Sequence, residues 1–525
     1  MEKGPHIRVS VVMWPEAKAH GAAAVRHTVF VEEQQVPASL ETDEQRDSTC
    51  FHALAVEEES GRVVGTGRLL PEESRIGRMA VLQSHRSLGI GGLLLEALID
   101  KARSLGHRRV TVSAQLPAEQ LYARNGFVRI GNEYEVPGVS HRHVDMRKLL
   151  ASVYLDHNST TPLCSAAVEA MQKGLTELWG NPGSAGCAGD AARAAIAECK
   201  RQVAALLSCD AAHLVVTSGG TEANNTALRS VLEGTAGRCV TSAFEHPAVD
   251  EVLKALPEVQ VVRVPVDRRG QIDEAAFVAE LQKGAALVSV MWANNEVGSI
   301  NDIPRLCRLT REHCPGAVFH TDAAQAIGKT RVEVGDVDML TLVAHKLYGP
   351  KLIGVLYSRL PLRPLLLGGS QQEGRRAGTE SALLCAGLGA AAQSAREGLA
   401  RNAFNILEMR NLLWSELQKR FPAATKWNES DERLSLGNTL SVCLDPKSAL
   451  LANQVVNECA TKQVYFSAGA ACHRGAVHPS QTLVAIGVPP QAALRTLRLS
   501  TGAGTTAAEV EDAVLVICSV MKVPF

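Results

Sequence analysis

The sequence has no excess of charge of either sign. Its 54 Lys and Arg residues are balanced by 55 Asp and Glu residues, which leaves a formal net charge of −1. Nucleic-acid partners and membrane-surface partners usually require a basic face, so we expect neither. A run of eighteen apolar residues, about the minimum for a membrane-spanning helix, is also missing. The first residues lack the arginine-rich amphipathic pattern of a transit peptide, and we therefore predict a cytoplasmic protein.

Paired cysteine motifs are absent as well. The thirteen cysteines are odd in number, irregularly spread and contain no CxxC pair. This distribution indicates free thiols in a reducing compartment, and no residue pattern predicts a metal site. The chain also lacks Gly/Ser-rich or Pro-rich linkers, internal repeats and low-complexity tracts. Its 525 residues nevertheless exceed one ordinary domain, and 46% hydrophobic content indicates a globular protein with two cores.

The most informative segment surrounds Lys346, in the run TLVAHK at residues 341–346, which is followed by YGPK at 348–351. An ordinary lysine has a pKa of about 10.4 and is a poor nucleophile at neutral pH. Carbonyl chemistry therefore requires a partly desolvated amine with cationic or aromatic neighbours, such as His345 and Tyr348. Lys346 is a candidate to form a Schiff base with pyridoxal phosphate, although an isolated His-Lys pair is more often solvent-exposed.

Upstream of this lysine, residues 318–326 (VFHTDAAQA) read as a short buried strand that ends in a turn. Catalytic carboxylates often stand at such strand ends, and Asp322 is the candidate to keep a pyridinium nitrogen protonated. Gln325, and Asn295 from the run WANNEVG, are able to hydrogen-bond the phenolate oxygen of that cofactor. Either amide is equally compatible with a turn or capping role.

Residues 214–225 (LVVTSGGTEANN) have the form of a strand, a glycine turn and a helix start. That arrangement directs backbone amides and the positive end of a helix at an anion, so Gly220 and Thr221 are predicted phosphate donors. His246, in the run FEHPAV, is able to stack on a pyridine ring. A lone histidine is more often an ordinary core or surface residue.

Two further candidates lie near the C-terminus. Cys472 stands in SAGAACHRG (467–475), a run of small residues that favours a mobile loop, next to His473 and Arg474, which could lower its pKa. The alternative is a small apolar filler. Arg498, in LRLSTG, could hold a substrate carboxylate in a bidentate fork.

In this order the motifs resemble the class V aminotransferase family, specifically its cysteine desulfurases and selenocysteine lyases. The resemblance covers roughly residues 152–520 and opens at VYLDHNSTTP (153–162). It implies a fold-type I α/β structure, a mostly parallel sheet covered by helices, with a large cofactor-binding part at about 165–385 and a small part at about 386–525. The implied roles are Lys346 for the Schiff base, Asp322 for the ring nitrogen, Gln325 and Asn295 for the phenolate, His246 for stacking, Gly220, Thr221 and His345 for the phosphate, Cys472 as nucleophile, and Arg498 and Asn158 for the substrate.

The resemblance also implies a reaction, in which selenium or sulfur is removed from L-selenocysteine or L-cysteine to give L-alanine. Lys346 would move the proton, and with cysteine the Cys472 thiolate would store the sulfur as a persulfide for a possible acceptor protein. The run RAGTE at 376–380, which contains Thr379, resembles a segment that reaches the phosphate of a neighbouring subunit and implies a homodimer.

The choice between the two chalcogens stays open. Val343 stands where many bacterial desulfurases place a serine, and with GAACH (469–473) and LRLS (497–500) it resembles the selenocysteine lyase branch. Asn181–Ser184 and Ala377 depart from the family pattern without removing a reactive group. A general desulfurase that supplies persulfide sulfur is the alternative. A degenerate scaffold is disfavoured because the reactive residues are all present.

The first 150 residues follow a different pattern. Strand-like RIGRMAV (75–81) leads into RSLGIGG (86–92) and then into the apolar helix face LLLEALI (93–99). Glycines before a helix let backbone amides and the helix dipole approach a pyrophosphate, although a plain strand-turn-helix fits equally well. With LYARNGF (121–127) downstream, this region resembles the α/β GNAT-type acyltransferases.

That second resemblance implies acetyl-CoA as cosubstrate. Arg86, Gly89 and Gly91 would bind its pyrophosphate, and Tyr122 would protonate the departing thiolate. The alternative for Tyr122 is a packed aromatic. No general base is evident, the options being Glu33, His141 or an ordered water.

We place the domain boundary in RKLLAS (147–152), which gives an acyltransferase domain at 1–150 and a lyase domain at 151–525. The front domain could instead be a non-catalytic acyl-CoA sensor or a docking module. Residue identity reveals neither its acyl acceptor nor the reason for the fusion.

Overall fold

The computed structural model describes residues 6–41, 43–427, 431–473 and 476–524, without the side chains of residues 432, 470–473, 476 and 477. In its first 150 residues seven strands form: β1 (Ile7–Met13), β2 (Phe51–Glu57), β3 (Val63–Leu70), β4 (Arg75–Val81), β5 (Arg109–Gln115), β6 (Val128–Arg129) and β7 (His143–Leu149). The helices are α1 (Trp14–Ala19), α2 (Ala22–Arg26), α3 (Ala38–Glu41), α4 (Glu44–Asp47), α5 (Ile90–Ser104) and α6 (Glu119–Arg124), with a π-helical turn at His27–Glu33.

These strands make one sheet in the order β1-β2-β3-β4-β5-β7-β6, in which only β4 and β5 run parallel. The predicted strand at 75–81 and the predicted apolar helix are both confirmed. The helix begins at Ile90, because Gly89 adopts a left-handed conformation (φ +81°) that glycine tolerates without steric cost. Leu94, Leu95 and Leu98 of α5 are fully buried against the sheet and form its core.

The rest of the chain contributes fifteen strands and eleven helices in the described residues. The strands are β8 (Val153–Tyr154), β9 (Leu214–Thr217), β10 (Arg238–Ser242), β11 (Gln260–Val264), β12 (Leu287–Ser289), β13 (Val318–Asp322), β14 (Met339–Val343), β15 (Gly354–Ser358), β16 (Thr425–Lys426), β17 (Thr439–Cys443), β18 (Val464–Tyr465), β19 (Ser467–Ala468), β20 (Ala470–His473), β21 (Ala476–Pro479) and β22 (Thr496–Ser500). The helices are α7 (Ser165–Glu177), α8 (Cys187–Leu207), α9 (Gly220–Leu232), α10 (Pro247–Lys254), α11 (Glu274–Leu281), α12 (Ile303–His313), α13 (Ala382–Arg420), α14 (Ala452–Thr461), α15 (Gln481–Ala485), α16 (Pro490–Ala493) and α17 (Ala507–Met521).

A seven-stranded sheet in the order β11-β10-β12-β13-β14-β15-β9 is the centre of this part. Its strands are parallel except β15, which is antiparallel to both neighbours. Successive strand residues enter two different cores: Leu287 packs with Ala227 of α9, whereas Val288 packs with the cluster that contains Leu388 of α13. Helices therefore cover both faces, which explains why these strands read as continuous apolar runs. The predicted fold class is confirmed.

A smaller antiparallel sheet has the order β16-β17-β22-β19. Helix α13 begins at Ala382, where the Ser381 hydroxyl caps the Leu384 amide, and runs unbroken to Arg420. Its second half, Asn402–Arg420, is amphipathic, whereas its alanine-rich first half has no amphipathic signal. The predicted boundary between the large and the small part, at about 385/386, therefore falls inside this helix.

The segment around Cys472, predicted as a mobile loop, contains two short strands in the residues that the structure describes. β20 and β21 form an antiparallel hairpin in which Cys472 is opposite Val477. The Cys472 side chain, His473 side chain and Arg474 lie outside the described residues.

The chain folds into two compact units, and each unit contains segments from separate parts of the sequence. The first contains Met1–Val153, Asn457–Tyr465 and Glu511–Phe525, and the second contains Tyr154–Val456 and Phe466–Val510. Within the first unit, Arg109 and Arg147 each donate a hydrogen bond to Asp512, at 3.0 and 2.8 Å.

Over the described ranges, none of the helices combines the length and the apolar character needed to traverse a bilayer.

Candidate active site

The candidate site of the second unit lies at the carboxyl edge of the seven-stranded sheet, the usual place for ligands in open α/β sheets. Asp322 is the last residue of β13 and only 6% of its surface is exposed. Its carboxylate accepts hydrogen bonds from Asn224 Nδ2 at 2.7 Å and from the Ala324 amide at 3.0 Å. These donors hold a buried carboxylate in one orientation.

Lys346 follows β14 in a single 3₁₀ turn, one strand away from Asp322. Its Nζ donates to the carbonyl oxygens of Asn158 at 2.5 Å and Ser159 at 2.7 Å. Burial, and then the nearby Arg498 guanidinium, lower the pKa of Lys346 from 10.5 to about 8. The environment required for a nucleophilic amine is therefore present.

The glycine turn lies between β9 and α9. Gly220 is the first residue of α9, so the free amides at the start of this helix border the cavity that contains Lys346. A Cβ on Gly220 would lie 2.5 Å from Val343 Cγ2, closer than real Cβ atoms approach other atoms. The turn therefore needs a glycine because Val343 fills the adjoining space.

Two histidines border the same cavity. His246 caps α10, where its Nδ1 accepts the Ala248 amide at 3.1 Å, which orients the ring. His345 Nδ1 lies 3.1 Å from the Thr160 hydroxyl. Burial, and then Lys346, lower the pKa of His345 to about 4, so this ring is neutral at physiological pH.

Asn158 is the centre of a buried hydrogen-bond network. Its carbonyl oxygen accepts Gln325 Nε2 at 2.9 Å, and its Oδ1 accepts Lys329 Nζ and Asn438 Nδ2, both at 2.9 Å. Lys329 also donates to Gln325 Oε1 at 2.6 Å. Desolvation and the charges of Lys346 and Arg498 hold the pKa of Lys329 well below its usual range. Gln325 borders the cavity, whereas the Asn158 side chain is committed to this network.

Arg498 lies in β22 and contacts Asn295. Its Nη2 donates to Asp156 Oδ1 at 2.8 Å and to Ser159 Oγ at 2.6 Å, and its Nη1 donates to the Asn295 carbonyl at 3.2 Å. Its Nε has no hydrogen-bond partner in the described part of the chain. The guanidinium is thus fixed in place while its Nε stays unpaired in the described part of the chain.

Two cavities meet at Asn295, which lines both. The smaller has a volume of about 230 Å³ and contains Asp322 and Lys346. The larger, of about 790 Å³, is bordered by Arg498, by Glu245 and by residues of the β19–β21 region, the segment that carries Cys472. Burial raises the pKa of Glu245 to about 8.

The smaller cavity fits pyridoxal phosphate by the chemistry of its donors. The buried Asp322 carboxylate suits a pyridinium nitrogen, and the Lys346 amine of lowered pKa suits an aldehyde. The neutral His345 and the N-terminus of α9, where a Cβ on Gly220 would clash with Val343, suit a phosphate. The structure brings together the predicted residues Gly220, Thr221, His246, Asn295, Asp322, Gln325, His345 and Lys346. Thr379 is exposed and does not border this cavity, and Asn158 does not border it directly.

In the first unit, the predicted pyrophosphate turn precedes α5. Arg86 makes a bidentate ion pair with Glu33, with its Nη2 donating to Oε2 at 2.7 Å, and this hydrogen bond lowers the pKa of Glu33. Gly91 packs against Leu121, which its Cβ would meet at 3.3 Å. Glu33 is consequently a weaker base than an ordinary glutamate, and the predicted alternative His141 is exposed.

Tyr122 is 5% exposed, and its ring makes an edge contact with Phe127 at 5.7 Å between centroids. Burial raises the pKa of Tyr122 to about 12, so it retains its proton at neutral pH. It is a packed aromatic of the core. Its proposed second role, as a proton donor, stays a prediction.

Two charged residues of the site were not predicted from the sequence: Lys329 of the Asn158 network and Glu245, which borders the larger cavity. Lys329 lies four residues after the predicted Gln325, and its Nζ donates to Gln325 Oε1 at 2.6 Å. Glu245 directly precedes the predicted His246. A charged residue close in sequence to a predicted site residue was the available signal in both cases.

Comparison with known proteins gives two family matches. Residues 153–513 match the model described as aminotransferase class-V, and residues 15–150 match the acetyltransferase (GNAT) domain. A cysteine desulfurase of Gluconacetobacter diazotrophicus is 40% identical over 370 residues, 69% of this chain and 91% of that protein. A selenocysteine lyase of Bos taurus is 35% identical over 402 residues, 68% of this chain and 91% of the relative.

Solved structures agree with this. A "NifS-like protein" superimposes with a TM-score of 0.63 at 31% identity, covering 71% of this chain and 98% of that one. The structure described as SspA in complex with cysteine gives a TM-score of 0.57 at 26% identity, over 68% of this chain and 100% of the other.

The fold and site therefore define a fold-type I enzyme of the kind that uses pyridoxal phosphate, preceded by a GNAT domain. The chain belongs to the class-V aminotransferase family, among relatives that are cysteine desulfurases and selenocysteine lyases.

Proposed function

We propose that the second unit removes selenium or sulfur from L-selenocysteine or L-cysteine and releases L-alanine. The observation that supports this most strongly is the lysine of lowered pKa in one cavity with a buried, oriented carboxylate. When bound, pyridoxal phosphate would supply an electron sink that stabilises negative charge at the substrate Cα.

The residues of this chain would divide the remaining work. Asp322 would lie against the ring nitrogen, the start of α9 with Thr221 and His345 would hold the phosphate, and His246 would cover the ring. Lys346 would move a proton to and from the substrate Cα, because its amine is poised near neutral pH. Arg498 would bind the substrate carboxylate in exchange for part of its contact with Asp156.

Cysteine and selenocysteine would differ in how the bond between the substrate carbon and its sulfur or selenium breaks. With cysteine, the Cys472 thiolate attacks the substrate sulfur, the carbon–sulfur bond breaks, and the products are a Cys472 persulfide and alanine. With selenocysteine, the weaker carbon–selenium bond depends less on this attack: it breaks with its electron pair left on the substrate carbon, which takes up the selenol proton, and the products are alanine and elemental selenium. A desulfurase that passes persulfide sulfur to an acceptor protein is the second candidate, favoured by the desulfurase relatives.

The test compares alanine release from the two substrates in wild type and Cys472→Ala. We expect the variant to lose release from cysteine and to keep part of its release from selenocysteine. Lys346→Ala, which removes the reactive amine, should lose both. Equal loss on the two substrates in Cys472→Ala would contradict the proposed role of the thiol.

We propose that the first unit transfers an acyl group from acetyl-CoA, with the turn at Arg86–Gly91 holding the pyrophosphate and Tyr122 donating a proton to the thiolate. Its family match and the protonated state of Tyr122 support this. A non-catalytic acyl-CoA-binding module is the alternative. Calorimetric binding of acetyl-CoA together with product formation separates the two, because binding without transfer favours the module.

We further propose a cytoplasmic homodimer in which Thr379 reaches the phosphate of the partner subunit. Its exposed position, away from the cavity of its own chain, supports this role. Sedimentation of the purified protein, with cofactor affinity measured in Thr379→Ala, tests it. A monomer that binds the cofactor with unchanged affinity in the variant would exclude the arrangement.

A further inference from the structure

The first unit contains a cavity of about 440 Å³ between strands β4 and β5. These parallel strands pair over only two residues each, ending at Ile76 and Val112, and then diverge. Arg78 of β4 and Gln115 of β5 border the space between them. The glycine-rich turn at 86–92 does not border this cavity, so it is separate from the predicted pyrophosphate site.

The cavity wall is strongly charged, with more positive than negative groups. Four arginines border it and only two carboxylates do, namely Arg46, Arg68, Arg75 and Arg78 against Glu41 and Glu73. Behind this wall, buried Arg26 donates to Asp47 at 2.9 Å. A low-dielectric cleft with excess positive charge concentrates anions.

Most of these arginines are neutralised by the protein itself. Arg46 pairs with Glu73, Arg68 Nη1 donates to Asp47 at 2.7 Å, and Arg78 Nε lies 3.1 Å from Glu41. Arg75 differs, since the described chain places no carboxylate within 4.0 Å of its guanidinium. Arg75 is therefore the cation on this wall that is available to a carboxylate ligand.

Two buried groups of the wall have unused hydrogen-bonding capacity. Arg68 is 6% exposed and its Nε has no partner, and His143 is 9% exposed and its Nδ1 has none, as far as the described residues go. Such groups are rare in native proteins and require an explanation. Arg78 also keeps a left-handed φ of +52°, a costly conformation for a residue other than glycine. Both features indicate a site built for a polar ligand.

Much of the remaining wall is apolar, formed by Phe30, Val36, Leu40, Val136 and Val139, and the side chains of Ser113, Gln115 and Tyr134 add polar groups to it. A ligand that suits both halves carries a carboxylate at one end and an apolar body at the other. We propose that this cavity binds the acyl acceptor of the first unit, an α-amino acid with an apolar side chain, whose carboxylate pairs with Arg75. This inference rests on the proposed acyltransferase function.

The transfer step balances without a further reactant. The ammonium group of the amino acid releases a proton to water, and its nitrogen then attacks the thioester carbonyl. A carbon–nitrogen bond forms, the carbon–sulfur bond breaks, and CoA leaves as a thiolate that takes up a proton. The products are an N-acylated amino acid, CoA and one proton in solution.

The experiment uses the full-length holoprotein, acetyl-CoA and three matched amines: L-leucine, L-leucinamide and 3-methylbutylamine. N-acetyl products are quantified by mass spectrometry, and acetyl-CoA binding is measured separately by calorimetry. Arg75→Gln is compared with Arg62→Gln, a change at an exposed arginine that does not border the cavity.

We expect acetylation of L-leucine and little of the two amines that lack a carboxylate. Arg75→Gln should raise the KM for leucine by about tenfold or more, the effect of losing one good ionic contact, with acetyl-CoA affinity, melting temperature and alanine release unchanged. Arg62→Gln should match wild type.

Three results would overturn the inference: acetylation of the other amines but not of leucine, equal acetylation of all three amines, or equal leucine KM values in the two variants. Failure of wild type to bind acetyl-CoA, or binding without acetylation of any of the three amines, would instead overturn the proposed acyltransferase function, and the acceptor site with it.

Discussion

At the residue scale, the behaviour of Lys346 depends on burial more than on any single partner. Its pKa of about 8 means that the unprotonated amine increases about tenfold between pH 7 and pH 9. We expect the rate at which pyridoxal phosphate attaches covalently to cofactor-free protein to rise by a similar factor, measured by borohydride trapping. Lys346→Arg is the control and should trap nothing. A rate that rises only near pH 10.4 would show that the amine is not desolvated.

Lys329 is a buried lysine that holds two other side chains of the site in place. It donates to Asn158 and Gln325, so Lys329→Met leaves Gln325 Oε1 without its donor and leaves Asn158 Oδ1 with Asn438 as its donor. An unsatisfied buried polar atom costs about 1–3 kcal/mol, so we expect activity to fall by about tenfold or more. The pH dependence of the bound cofactor's absorbance should shift as well, because Lys329 helps to hold Asn158, whose carbonyl oxygen accepts a hydrogen bond from Lys346.

Lys173→Met is the matched control for Lys329→Met, since Lys173 is an exposed lysine of α7. Both variants are compared by melting temperature, KM and kcat. An unchanged absorbance profile with a lower melting temperature would show that Lys329 is only structural.

At the element scale, the close contact between β14 and the start of α9 decides whether the phosphate site can form. Gly220→Ala would place a Cβ 2.5 Å from Val343 Cγ2, and a β-branched side chain has little freedom to move away. We expect the cofactor affinity of this variant to fall by about tenfold or more, a loss of at least about 1.4 kcal/mol, measured by equilibrium titration.

The second substitution Val343→Ala should restore much of that affinity, because it removes the clashing methyl groups. Val343→Ala alone is the control for the cavity that it creates. If Gly220→Ala binds the cofactor like wild type, or if the double variant shows no recovery, the contact does not determine the site.

At the scale of the whole molecule, two sets of reactive residues belong to two compact units. We expect Tyr122→Phe to lower acyl transfer by about 100-fold, the usual contribution of a general acid, while alanine release stays at the wild-type rate. Lys346→Ala should do the reverse, with acetyl-CoA binding unchanged. Loss of both activities in either variant would argue against independent sites.

Much of the fold was predictable because it rests on local patterns. Continuous apolar runs predict the buried parallel strands, and glycine turns before apolar helices predict α5 and α9. The first half of α13 was not predicted, since a helix that is buried on several sides loses the amphipathic signal. The hairpin at Cys472 was missed because a backbone ladder leaves little trace in the side chains.

The sequence by itself determined which reactive groups exist and which families the chain matches. Both depend only on which residues, such as lysine, aspartate and glycine, occur at which spacings along the chain. Tertiary structure alone decided which of them meet. Distant segments bring Asn158, Gln325 and Lys329 into one network, and the packing of the first unit gives Arg46, Arg68 and Arg78 carboxylate partners but places none beside Arg75 in the described chain. Desolvation and partnership depend on three-dimensional distance, which the order of residues does not contain.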